Sequence, residues 1–126
     1  MLFRSNPEIA SLIYAGADVM LMPSRSEPCG LAQMIACRYG TIPIVRKTGG
    51  LGDTISDCRA GMGNGFVFEN YTAAALFDTI LQALDLYTYR EEDWKNLMRE
   101  AMSYDFSWDI SAKAYAGLYR ELCAKS

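Results

Sequence analysis

Glu27 is the one carboxylate in Met22-Pro23-Ser24-Arg25-Ser26-Glu27-Pro28-Cys29-Gly30-Leu31-Ala32-Gln33, where an apolar strand signal gives way to a polar turn and then to a helical pattern. Gly30 removes the Cβ where backbone has to approach a ligand, and Pro28 stiffens the turn. The N–H groups of Cys29, Gly30, Leu31 and Ala32 then lead out of a nascent helix, an arrangement suited to a sugar phosphate. A plain strand-to-helix turn, in which Glu27 only complements the helix dipole, accounts for the same residues. Both readings stand at this point.

A second glycine-bearing turn, Thr48-Gly49-Gly50-Leu51-Gly52-Asp53-Thr54, also follows a strand signal. Paired glycines permit positive φ and close approach, and Asp53 or Thr54 is placed to cap the next helix. The spacing is neither that of a P-loop nor that of a dinucleotide fingerprint. Its weight comes from register, because neighbouring parallel strands would set this turn beside the Glu27 turn on one sheet edge.

The elements that must position these turns follow from periodicity. Asn6-Pro7-Glu8 reads as a helix start, with Asn as cap, Pro at the first position and Glu in the first turn. Ile9, Leu12 and Ile13 then recur on one face, and Gly16 stops the helix. Val19-Met20-Leu21-Met22 is the short apolar run of a strand buried on both faces. A helix from about Leu31 to Tyr39 ends at Gly40, and Ile42-Pro43-Ile44-Val45 is the second strand, with Pro43 near its start where no ladder donor is needed. A short helix is expected from Gly52 to Asp57, then a flexible loop marked by Gly61, Gly63, Asn64 and Gly65, then a third strand at Phe66-Val67-Phe68.

Thr72 caps a helix with Leu76, Ile80, Leu84 and Tyr87 on one stripe, and Trp94, Leu97, Met98 and Ala101 line another. Ser107 opens a last helix bearing Trp108, Tyr115, Leu118, Tyr119 and Leu122, whose aromatic residues, like Trp94, are read first as packing. Strand, helix, strand, helix, strand and then helices describe an α/β fold with about three parallel strands and flanking helices. Three strands amount to one half of a doubly wound sheet.

Size and composition set the outer bounds. The 126 residues, 14.0 kDa, suit a single domain over residues 1–126 with one core. Apolar residues at 51% and charged residues at 21% argue against disorder. A net charge of -3 leaves no electrostatic footprint for nucleic acid or an anionic membrane, so a phosphate would have to be held locally by backbone dipoles and a few cations. No apolar run is long enough for a membrane span, and Met1 to Pro7 lacks a signal-peptide core, so a cytoplasmic chain is expected. Cys29, Cys37, Cys58 and Cys123 have no C-x-x-C spacing, and there is no histidine to complete a zinc or thiol-protease site.

Ala15-Gly16-Ala17-Asp18, Pro23-Ser24-Arg25-Ser26-Glu27-Pro28-Cys29-Gly30-Leu31, Tyr39-Gly40-Thr41-Ile42-Pro43, Thr48-Gly49-Gly50-Leu51-Gly52-Asp53-Thr54, Gly65-Phe66-Val67-Phe68 and Asp105-Phe106-Ser107-Trp108 resemble, in order, the C-terminal part of bacterial glycogen synthases and plant starch synthases. That resemblance implies half of the Rossmann-like C-terminal domain of a GT-B glycosyltransferase. It also implies transfer of glucose from ADP-glucose to the non-reducing end of an α-1,4-glucan with retention of configuration. Glu27 would be the catalytic-site carboxylate beside the donor sugar. Cys29, Gly30 and Leu31 would bind substrate through their N–H groups, and Thr48, Gly49 and Gly50 would line the same pocket. The resemblance implies neither metal nor cofactor.

The departures matter as well. The family's acceptor domain, with its K-x-G-G-L motif, and the half-domain whose Arg and Lys neutralise the diphosphate have no counterpart in these 126 residues, so the isolated chain is expected to be inactive. Ala32 stands where many relatives have threonine. Ile35 stands where the related E-x7-E transferases have a second Glu, which argues against a UDP- or GDP-sugar enzyme of that type. A non-catalytic interaction module with the same half-Rossmann fold is the alternative from another class. An open strand edge and the apolar Trp108-Tyr115-Leu122 stripe lead us to expect a homo-oligomer of the isolated chain.

Overall fold

A computed structural model describes residues 6–124, the side chains of residues 7 and 8 excepted. The elements in chain order are α1 (Pro7–Gly16), β1 (Val19–Met22), α2 (Ala32–Tyr39), β2 (Ile42–Arg46), α3 (Gly49–Thr54), a single 3-10 turn (Cys58–Ala60), β3 (Phe66–Phe68), α4 (Ala73–Tyr89), α5 (Glu91–Ser103) and α6 (Trp108–Ala124). The three strands form one parallel sheet in the order β1-β2-β3. The expected α/β arrangement, half of a doubly wound sheet, is what folds. Asn6 caps α1 as its type predicts, its Oδ1 accepting from the Ile9 N–H at 3.3 Å. The first-turn role expected for Glu8 lies outside the described residues, as does most of the Met1–Pro7 stretch that is expected to lack a signal-peptide core.

β2 is the central strand, and its unbroken apolar run is the signature of burial on both faces: Ile42, Pro43, Ile44 and Val45 are all buried. Pro43 is tolerated there for a reason that register makes plain. The Ile42 N–H pairs with Asp18 on the β1 side and the Lys47 N–H with Phe68 on the β3 side, so position 43 faces β3. The β3 ladder begins only at Ile44–Phe66, so no donor is missing at Pro43.

Around β2 the core collects Cys37 from α2, Leu51 and Ile55 from α3 and its end, Phe66 and Phe68 from β3, and Ala83, Leu86, Trp94, Leu97 and Ala101 from α4 and α5. Tyr87 and Trp94 meet edge to face at 5.2 Å, which locks the α4–α5 corner. Gly40 ends α2 in the left-handed conformation (φ 80°), returning its N–H to Ala36 and Cys37.

Several expectations change. β1 is half-buried rather than buried on both faces, and Leu21 is 48% exposed, because β1 is an edge strand. The α4 face that packs is Thr79, Ala83 and Leu86, not the Leu84–Tyr87 end of the larger stripe; small side chains let the helix approach the sheet, leaving Leu84 and Tyr87 outside. Trp94, Leu97 and Ala101 are core as expected, whereas no residue of α6 is buried and Trp108, Tyr115 and Tyr119 lie exposed.

The loop before β3, expected to be flexible, is anchored in its second half. Gly63, Asn64 and Gly65 are buried, with Asn64 Oδ1 accepting from the Ser56 N–H at 2.8 Å and its Nδ2 donating to Thr54 at 3.0 Å.

Candidate functional site

The carboxyl ends of β1 and β2 carry the two glycine-bearing turns, and the structure joins them directly. The Gly50 N–H donates to the Glu27 carbonyl at 3.1 Å. A Cβ at Gly49 would overlap the Glu27 carbonyl, and one at Gly50 would lie 2.6 Å from the Cys29 carbonyl carbon. Both glycines are therefore required by the contact between the turns. The short helix α3 starts at Gly49, three residues earlier than periodicity predicts, and ends at Thr54 rather than Asp57, because the glycine pair is helical and packed instead of a free turn.

Glu27 is half-buried, and its carboxylate makes no hydrogen bond or ion pair with any described residue. It precedes α2 by five positions, and the first turn of that helix carries neither an acid nor a side-chain cap. Glu27 therefore neither caps α2 nor belongs to its first turn. Gly30 sits at φ 72°, a left-handed conformation that suits glycine, and a Cβ there would stand 2.7 Å from Gln33 Oε1. Among the described residues the N–H groups of Cys29, Gly30, Leu31 and Ala32 find no acceptor.

The second turn contributes unevenly. The Gly50 N–H is used inside the chain, which leaves the exposed Gly49 N–H and the half-buried Thr48 hydroxyl unbonded. Thr54, expected as a cap for a following helix, instead closes α3: its hydroxyl donates to the Gly50 carbonyl at 2.6 Å. Asp53 is exposed and caps nothing.

Two residues that frame the site carry no motif of their own. Arg46, at the end of β2, donates to the Ser24 carbonyl at 2.9 Å and to the Arg25 carbonyl at 2.5 Å, holding the start of the Glu27 loop, and lies 5.4 Å from the Tyr71 ring centre. Gln33 is fully buried at the start of α2. A polar residue on the same helix face as Ala36, Cys37 and Gly40 was the available signal for it. Lys47 pairs with Glu69 at 2.9 Å, whereas the Arg25 side chain forms no ion pair with a described residue.

Among the described residues no group of acidic, cysteine or histidine side chains could hold a metal ion. Cys37 is a core thiol, its ionisation pushed up to about 12 by burial, and Cys58 is raised to about 11 chiefly by the same cause. Cys29 is exposed at the turn itself.

A cleft of about 870 Å³ lies elsewhere, at the amino end of β3 between α4 and α5. Its Arg59 is already committed to Asp57 and to Gln82 Oε1 at 2.6 Å, and none of the turn residues lines it. At the Glu27 edge an unpaired carboxylate and a short row of free backbone donors lie within six residues of one another. A carboxylate accepts from sugar hydroxyls, while N–H groups at a helix start take phosphate or hydroxyl oxygens.

Comparison with known proteins shows which family such a parallel half-sheet comes from. Residues 1–101 match the glycosyl transferases group 1 family, and the chain belongs to it. It is 53% identical over 122 residues to a glycogen synthase of Moorella thermoacetica and 54% identical over 121 residues to one of Thermotoga maritima. Those matches cover 95% and 94% of this chain but only 25% of either relative.

Among solved structures, the catalytic domain of starch synthase IV from Arabidopsis thaliana, bound to ADP and acarbose, superposes with a TM-score of 0.87 at 41% identity, covering 95% of this chain and 25% of that one. Sucrose-phosphate synthase from Thermosynechococcus elongatus gives 0.66 at 28% identity, over 99% of this chain and 30% of that one. The half-sheet thus corresponds to part of a GT-B glycosyltransferase, and the resemblance stated from the motifs stands.

Proposed function

We propose that residues 1–126 form one domain and supply the donor-sugar side of a retaining glucosyltransferase, which moves glucose from ADP-glucose to the non-reducing end of an α-1,4-glucan. The observation that carries this reading is the unpaired Glu27 carboxylate beside the unsatisfied N–H groups of Cys29, Gly30 and Leu31. Glu27 accepts from donor-sugar hydroxyls and faces the positive charge that grows at the sugar as the bond to the diphosphate breaks. The N–H row stabilises sugar hydroxyls or the distal phosphate, where negative charge develops. Thr48 and Gly49 close the other side of the pocket, and Gly50 serves through its hold on Glu27.

Identity above 50% to glycogen synthases and the ADP-bound starch synthase neighbour support glucose and ADP as the donor parts. Incorporation of labelled glucose into glycogen by the full-length gene product, with ADP-glucose and UDP-glucose compared, tests the reading. Preference for ADP-glucose is expected; transfer from UDP-glucose alone would assign the donor differently, and no transfer from either would refute the reading.

The 126 residues alone make one wall of such a site, so the purified chain is expected not to elongate glycogen; turnover near ~1 s⁻¹ would contradict this. The reading places the protein in the cytoplasm, where glucan and nucleotide sugar meet; no helix among the described residues is long and apolar enough to cross a membrane. Nucleic acid and membrane are not among its partners. In isolation the chain pairs with a second copy, covering Leu21 on the open edge of β1 or the Trp108–Leu122 face of α6. Light scattering over micromolar concentrations checks it, and a monomer throughout would contradict it.

A further inference from the structure

We infer that Gln33 and Thr54 form a side-chain bridge that positions the backbone donors of the site, a role that rests on the donor-sugar reading above. Gln33 is 0% exposed. Burying a glutamine forfeits amide hydration that a methionine of similar length does not have, so its amide has to be used.

Its Nε2 donates to the Gly30 carbonyl at 2.9 Å and to Thr54 Oγ1 at 3.1 Å, and it lies 3.4 Å from the Cys29 carbonyl. The Thr54 hydroxyl in turn donates to the Gly50 carbonyl at 2.6 Å, and the Gly50 N–H donates to the Glu27 carbonyl at 3.1 Å. The path Gly30, Gln33, Thr54, Gly50, Glu27 is thus a closed circuit that ties the first turn to the second at both of its ends.

The circuit matters because a trans peptide is planar, with its C=O and N–H pointing opposite ways. No peptide here is cis. Drawing the Cys29 and Gly30 carbonyls inward onto the Gln33 amide turns the N–H groups of Gly30 and Leu31 outward, toward the ligand. Gly30 completes the fit, since a Cβ would press on Gln33 Oε1 at 2.7 Å. Gln33 Oε1 itself is buried without a partner, so the residue is a poor choice for stability alone. Gln33 and Thr54 touch no substrate; they act through the backbone.

Two measurements test this. In the full-length gene product, Gln33→Met and Thr54→Val are expected to lower kcat about tenfold or more, with KM for ADP-glucose within about threefold, and Thr54→Ser to restore most of the rate. In the 126-residue chain, Gln33→Met is expected to speed hydrogen exchange at the Gly50 amide about tenfold while the Ile44 and Val45 amides in β2 stay as they are.

Unchanged exchange at Gly50 overturns the bridge whatever the kinetics show. Faster exchange with unchanged kcat overturns its part in the reaction. Equal losses for Thr54→Val and Thr54→Ser overturn the hydroxyl's role. If the unmodified gene product transfers no glucose, the donor-sugar reading fails and positioning for it fails too, while the exchange result separately decides whether the bridge exists.

Discussion

Replacing Gly50 by alanine isolates the contact between the two turns. Its φ is not positive, so alanine brings no backbone strain, and the whole effect is steric. The new Cβ would lie 2.6 Å from the Cys29 carbonyl carbon and 2.8 Å from its Cα, where ordinary contact is 3.4–4 Å. The obstacle is backbone, which cannot rotate aside, so the turns must part by about an ångström.

Forced packing of this kind costs about 1–3 kcal/mol. The Gly50–Glu27 hydrogen bond goes with it, at about 1 kcal/mol. The sum of about 2–4 kcal/mol corresponds to a fall in Tm of roughly 8–16 °C for a chain of this size. Urea and thermal denaturation of the purified chain, followed by circular dichroism, would measure it. A Gly50→Ala chain within about 0.5 kcal/mol of the unmodified one would refute the claim that the two turns pack backbone to backbone.

Gly117→Ala is the counterpart, since a Cβ there meets nothing within 4 Å and the residue lies inside α6; a gain of about 0.5–1 kcal/mol is expected in the same assay, and a loss would contradict an uncovered α6. Asp57 provides a pH test: burial alone would raise its carboxyl, but hydrogen bonds and charge from Arg59 outweigh this and hold it below the usual value. The contribution of the pair is therefore complete above about pH 4 and disappears as pH falls through the lowered folded value, so Asp57→Asn should flatten the fall in urea midpoint between about pH 4 and pH 2. A slope unaltered by Asp57→Asn would remove the pair from the account. Exposed Cys29 and Cys123 should react with a disulfide reagent at about pH 8 at least tenfold faster than Cys37 and Cys58, whose ionisation burial opposes, and equal rates at all four would contradict the burial described.

The order of strands and helices is legible in the sequence because each apolar run has a clear period, bounded by glycine or proline as far as Gly65 and by Thr72 and Ser107 at helix starts beyond it. Where the reading missed, a local signal competed with a tertiary one. Gly49-Gly50 reads as a turn by type, yet it is helical because only glycine lets α3 abut the Glu27 loop. On α4 the eye goes to Leu84 and Tyr87, while Thr79 and Ala83 are chosen by how closely the helix can approach.

The site divides along the same line. Glu27 and Gly30 stand out through residue type and place, whereas Gln33 is a single polar residue whose function depends on Thr54, 21 positions away, and no local pattern encodes that distance. The α6 stripe is legible as apolar, but its cover is not among the described residues.

The central claim concerns Glu27, and it is tested most directly by the steady-state kinetics of the full-length gene product carrying Glu27→Gln, with ADP-glucose varied at saturating glycogen. Glutamine keeps the size of the side chain and removes its charge. A fall in kcat of about tenfold or more with little change in KM for ADP-glucose is predicted, because the carboxylate is needed most as charge grows at the sugar. An unchanged kcat would contradict the account and return the Glu27 turn to a purely structural role.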